Sequence, residues 1–141
     1  MAPEIPAEIS LVSALEAAEY FLQEGKPVSF VNISATNSMW PTIKTGDTVF
    51  LFPEPWENIS RHDIIGYKNP AQVLIIHRIM KKKGDAFIAQ GDNNAHPDPL
   101  VKKEAYRGVV RKVRGPGGKE AALSFGWRGR CRHLLNKLRL F

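Results

Sequence analysis

Between residues 28 and 113 the chain is a succession of short runs rich in Val, Ile and Phe, separated by turn-forming residues. The runs at 28–33, 48–52, 63–67, 73–80, 86–90 and 106–113 read as β-strands, because β-branched and aromatic side chains fit a pleated, half-buried surface. Breaks fall at Gly46-Asp47, residues 53–55, Asn69-Pro70, residues 83–85 and the loop 91–99, where Gly, Pro, Asn and Asp favour tight turns. This punctuation excludes a helical bundle and leaves a mainly β domain without internal repeats.

The flanks carry a different period. Leu11, Leu15, Ala18 and Leu22 recur at helical spacing from residue 10 to about 23, and Gly25 and Pro27 stop them, which predicts one N-terminal amphipathic helix. At the other end, Gly115-Pro116-Gly117-Gly118 reads as a linker. Beyond it, Trp127, Leu134, Leu135, Leu138 and Phe141 alternate with Arg128, Arg130, Arg132, Lys137 and Arg139 as in a C-terminal basic amphipathic helix. The expected organisation is therefore helix and lead-in over 1–27, β domain over 28–114, linker and basic helix over 115–141.

Composition removes several function classes. A single cysteine, Cys131, rules out an internal disulfide framework and CxxC zinc sites, and is expected to be a reduced small hydrophobe. No stretch reaches the roughly 18–20 apolar residues of a membrane-spanning helix, and the glutamates at 4, 8, 16 and 19 oppose a secretory leader, so the expected location is cytoplasmic. The net charge of +6 is unevenly placed: residues 1–100 hold 8 Lys+Arg and 12 Asp+Glu, a net of −4, and all the positive excess follows. A nucleic-acid footprint over the body is therefore disfavoured. For residues 119–141 the favoured expectation is docking of their apolar face onto the protein itself; contact with an anionic membrane surface comes second, and a nucleic acid or acidic partner third.

The chemistry-bearing stretch is residues 35–43, Ala-Thr-Asn-Ser-Met-Trp-Pro-Thr-Ile. Pro41 locks its own φ and restricts Trp40, so the loop that carries Ser38 has a fixed direction. Taken alone, Ser38 also reads as a turn serine bonding nearby backbone. His77 lies in an otherwise apolar run, Ile75-Ile76-His77-Arg78-Ile79, and Asp92 and Asp98 lie in the loop that follows. A serine hydroxyl needs a base to take its proton, and an imidazole base gains from a carboxylate that fixes its tautomer. His96, in the same loop as the aspartates, rivals His77 as the base. His62, between Arg61 and Asp63 at the start of a strand, is expected to be solvated, and Asp47 and Asp63 to brace turns. Residues 81–83, a lysine run ending in Gly84, are expected to form a solvated hairpin tip.

Six segments in order, Ser38-Met39-Trp40-Pro41-Thr42-Ile43, Gly46-Asp47-Thr48-Val49, Asp63-Ile64-Ile65, His77-Arg78-Ile79, Gly91-Asp92-Asn93-Asn94 with Asp98, and Gly108-Val109-Val110, resemble the successive boxes of the type I signal peptidase family. Bacterial enzymes of that family and the related self-cleaving repressors use a lysine base. His77-Arg78 is similar instead to the serine-histidine branch of the endoplasmic reticulum and archaea.

The resemblance implies a signal-peptidase-like β fold, Ser38 as nucleophile and His77 as general base. It implies Asp98 as the orienting carboxylate, with Asp92 the alternative. It also implies an oxyanion site made by the Ser38 backbone N–H and the Thr36 hydroxyl, a donor type worth about 2.7–4 kcal/mol in the transition state. No metal and no cofactor are called for. Asn37 stands where the family commonly has glycine, and Asn tolerates left-handed φ. The family's membrane anchor is expected to be replaced by the acidic helix near residues 10–23. The implied activity is a serine endopeptidase free of an anchor, cleaving a peptide or protein with small residues near the scissile bond. The alternatives are a non-catalytic peptide- or nucleic-acid-binding module on the same fold and a repressor-type self-cleaving regulator.

Overall fold

A computed structural model of the protein describes residues 11–32 and 36–123. The helix is present as α1, Leu11–Gln23, and apart from two single-turn 3-10 helices the other regular elements of the described residues are strands: β1 Val28–Val31, β2 Thr48–Phe52, β3 Ile64–Lys68, β4 Leu74–Lys83, β5 Ala86–Gln90, β6 Val101–Lys102, β7 Tyr106–Arg114 and β8 Glu120–Ala122. All pairings are antiparallel, in the order β1-β2-β7-β3-β4-β5-β6, with β8 added to β7. Among the described residues no helix is long and apolar enough to cross a membrane. The basic helix expected near the C-terminus, Cys131 and most of the membrane-contact segment 119–141 lie outside the described residues.

Alternation along the strands sorts the apolar side chains into two clusters, one on each face. The first holds Leu22, Met39, Ile43, Val49, Leu51, Ile64, Val110 and Val113; the second holds Ile59, Ile65, Tyr67, Ile79, Phe87, Ala89 and Val109. Neighbours such as Ile64 and Ile65, or Val109 and Val110, point to opposite faces because the strand period is two. The helix joins the first cluster through Leu22, a burial worth about 1.5–3 kcal/mol. It is also tied by Glu19, whose carboxylate meets Lys68 at 3.1 Å and Arg107 at 3.2 Å.

The structure departs from the sequence reading at three places. The lysine run does lead into the β4–β5 hairpin turn with Lys81 and Lys83 exposed, but a bulge between Ile79 and Lys81 leaves Lys82 partly buried. There its ammonium donates to the carbonyls of Trp56 and Ile59 and lies 4.3 Å from the Trp56 ring centroid. Gly115-Pro116-Gly117-Gly118 is not a linker but a hairpin turn. The Gly118 N–H reaches the Gly115 carbonyl at 2.9 Å with Gly118 at φ +87°, and residues 120–122 pair back onto β7. His62 is buried rather than solvated, at 7% exposure.

Candidate active site

Two loops meet at one end of β4. The first, residues 36–47, is fastened to the core by Met39 and Ile43, both almost fully buried, and contains a cis Trp40-Pro41 peptide. Asn37 adopts φ +52°, the left-handed conformation that asparagine accepts more readily than most residues, and its side-chain oxygen takes the Thr45 hydroxyl at 3.1 Å. The second loop, 91–99, grips the first from below. Asn93 donates its backbone N–H to the Ser38 carbonyl at 2.8 Å and its side-chain amide to the Asn37 carbonyl at 3.2 Å. The backbone at Asn37 and Ser38 is thus held by Asn93, with Ser38 half-buried.

His77 and Arg78 are consecutive on β4 and point to opposite faces. His77 lies opposite Ile65 of β3 and Tyr67 lies opposite Ile75, so Ile65, Tyr67, Ile75 and His77 share one face. The His77 Nε2 is 3.3 Å from Ser38 Oγ, and Nδ1 is 2.5 Å from Asp98 Oδ2. Ser38, His77 and Asp98 therefore form one continuous chain of polar contacts, brought together from β4 and two loops. The same Asp98 oxygen accepts the Tyr67 hydroxyl at 2.7 Å. Burial, followed by the Asp98 carboxylate, pushes the Tyr67 phenol well above its usual range, so it stays protonated and donating.

Arg78 turns the other way, beneath the Ser38 loop. Its Nε and Nη2 each donate at 2.9 Å to the two oxygens of Asp92, and Nη1 donates to the His62 carbonyl at 2.8 Å. Asp92 also accepts the Thr42 hydroxyl at 2.5 Å, and its backbone N–H lies 3.4 Å from the Met39 sulfur. Of the two aspartates that sequence left open, Asp98 contacts His77, and Asp92 joins the Ser38 loop to β4. Thr36 is exposed, two residues before Ser38 on the same loop, and His96 is exposed on the second loop.

Asp47 and Asp63 brace turns as expected: Asp47 accepts the Lys44 N–H and Asp63 the Ser60 N–H, each at 2.8 Å. Asp63 also meets Arg111 at 3.2 Å, and Arg111 pairs in addition with Glu54. Burial alone would lower the Arg111 guanidinium's pKa, but Glu54 and Asp63 outweigh it and raise it.

Sequence reasoning missed Tyr67, Thr42 and the role of Arg78. The signal for Tyr67 was available: a tyrosine two residues from Ile65 on a buried strand must find a partner for its hydroxyl. Among charge-bearing groups that partner is hard to choose without the fold.

No protein-family model matches the chain, and no curated protein matches it.

Proposed function

We propose that the protein is a serine endopeptidase of the signal-peptidase type, with Ser38 as nucleophile, His77 as general base and Asp98 as the carboxylate that orients it. The observation that carries this reading is the Ser38–His77–Asp98 contact chain, with one imidazole nitrogen facing each partner. An imidazole whose Nδ1–H is held by a carboxylate presents Nε2 as an acceptor, the tautomer needed to take a serine proton. The 3.3 Å separation from Ser38 Oγ is loose for a hydrogen bond, as catalytic contacts often are before substrate tightens them.

On this reading, Ser38 Oγ attacks a peptide carbonyl while its proton passes to Nε2. The resulting oxyanion is met by the Ser38 backbone N–H and the Thr36 hydroxyl. The intermediate collapses as His77 returns the proton to the leaving amine, giving a Ser38 ester. Water, deprotonated by His77, then releases the acid and restores the serine.

The strand edge beside His77 supports a peptide as substrate. Residues 74–77 pair with β3 on one side, whereas β5 pairing begins only at Arg78, and no other described strand covers that edge. An extended segment adding to this edge would bring its backbone alongside His77. The substrate is accordingly an extended peptide or protein segment with small side chains at the scissile bond. A cytoplasmic setting and contact of residues 119–141 with anionic lipid belong to the same proposal. The repressor-type alternative calls for a lysine base, and the base position here is histidine. The non-catalytic alternative is decided by the test.

That test is covalent labelling of the pure protein with a serine-reactive probe. Loss of labelling in both Ser38→Ala and His77→Ala is expected. Undiminished labelling of Ser38→Ala would overturn the nucleophile assignment, and an unlabelled wild type would favour the binding-module reading.

A further inference from the structure

A carboxylate that orients a base must itself be oriented by something other than that base. Asp98 sits on the 91–99 loop, and its backbone N–H is tied to the Ala89 carbonyl of β5 at 2.8 Å, which places the residue but leaves its side chain free to rotate. Among the described residues two groups hold the carboxylate, both at Oδ2: His77 Nδ1 and the Tyr67 hydroxyl. Were His77 the only one, imidazole and carboxylate would turn together and neither would fix the other.

Tyr67 is anchored independently of the site. It lies within β3, is 5% exposed, and its ring packs edge-on against Phe87 at 5.6 Å between centroids. Phe87 is fully buried and packs in turn on Trp56. The hydroxyl therefore projects from the core at a place set by aromatic packing.

We propose that Tyr67 is a positioning residue: its hydroxyl fixes Oδ2 of Asp98, and through that oxygen the plane of the His77 ring relative to Ser38. The consequence for rate rests on the peptidase reading above; the geometric role does not. Tyr67→Phe removes the hydroxyl and leaves the ring in place against Phe87. At saturating serine-reactive probe its labelling rate is expected to fall about tenfold, the contribution of one hydrogen bond to a charged group. The half-saturating probe concentration should stay within about twofold, because no probe contact is lost.

Two further measurements separate positioning from general loosening. The His77 Nδ1 proton, hydrogen-bonded to Asp98, should give a far-downfield magnetic resonance signal that broadens by exchange in Tyr67→Phe. In an Asp98→Ala background, adding Tyr67→Phe should change the rate by less than about twofold, since the phenol then has no side-chain acceptor at that position to hold. An unchanged rate and resonance in Tyr67→Phe would overturn the proposal, and so would fully additive losses in the double variant. Replacing tyrosine throughout with 3-fluorotyrosine keeps the packing and strengthens the donor. An unmoved resonance there overturns the proposal even if the phenylalanine variant does not fold. The resonance is read without turnover, so a wild type that never labels sinks the peptidase reading while the role of Tyr67 is still decided.

Discussion

Arg78 clasps Asp92 with two parallel hydrogen bonds of 2.9 Å, in a pair whose side chains are only 4% and 2% exposed. It lies one residue from His77 along β4 yet on the opposite face, so the strand that carries the proposed base also carries the brace for the proposed nucleophile's loop.

The two aspartates should therefore fail in different ways. Removing Asp92 leaves a buried guanidinium uncompensated, and Asp92→Ala is expected to cost about 3–5 kcal/mol of stability. Asp98→Asn, at a partly exposed site, should cost less than about 1 kcal/mol and lower probe labelling on the order of a hundredfold or more. Thermal unfolding beside labelling kinetics checks both. Equal stability losses would remove the distinction drawn between them.

Gly91 should be intolerant of any side chain. A Cβ there would lie 2.5 Å from the Ser38 carbonyl oxygen and 2.7 Å from the Asn94 amide nitrogen. Gly91→Ala is expected to destabilise by about 1–3 kcal/mol and to displace Ser38, lowering labelling disproportionately. Gly117→Ala, whose Cβ would meet nothing within 4 Å, serves as the control and should stay within about 0.5 kcal/mol of the parent.

Attachment of α1 should weaken in acid. Burial pushes the Glu19 carboxyl up, but its bonds and charge contacts with Lys68 and Arg107 prevail and hold it below the ordinary 4.5. A carboxylate lowered on folding contributes stability above its unfolded value, and that contribution is lost as pH falls through the folded one. Amide protection factors over residues 11–23, which are corrected for the intrinsic slowing of exchange in acid, should therefore fall several-fold between neutral pH and about pH 3, an effect on the order of 1 kcal/mol or less. Glu19→Gln should show lower protection already at neutral pH and lose most of the acid dependence. Protection factors that are flat with pH in the parent would show that Glu19 does not hold the helix.

The six strand segments were legible because each is a run rich in Val, Ile and Phe between turn residues, whereas Ser38, His77 and the pair Asp92 and Asp98 were singled out by their resemblance to ordered family segments, with the two aspartates left open. What escaped was whatever depends on a neighbour distant in sequence. Lys82 looks like a solvated charge until the bulge in β4 turns it inward toward Trp56. Gly115 to Gly118 look like a linker until β8 is seen returning onto β7. Choosing between Asp92 and Asp98 required knowing that His77 and Arg78 face opposite sides of the sheet, and Tyr67 entered only through its contact across to the second loop.

That back-to-back arrangement makes the geometry quantised. Shifting β4 by one residue ahead of His77 would not nudge the imidazole by a fraction of an ångström; it would turn His77 and Arg78 to the opposite faces, a deletion placing the guanidinium at the position that faces Asp98 and an insertion placing the imidazole at the position that faces Asp92. The site has no partly aligned neighbours along this coordinate: each register of β4 either assembles the whole constellation or none of it.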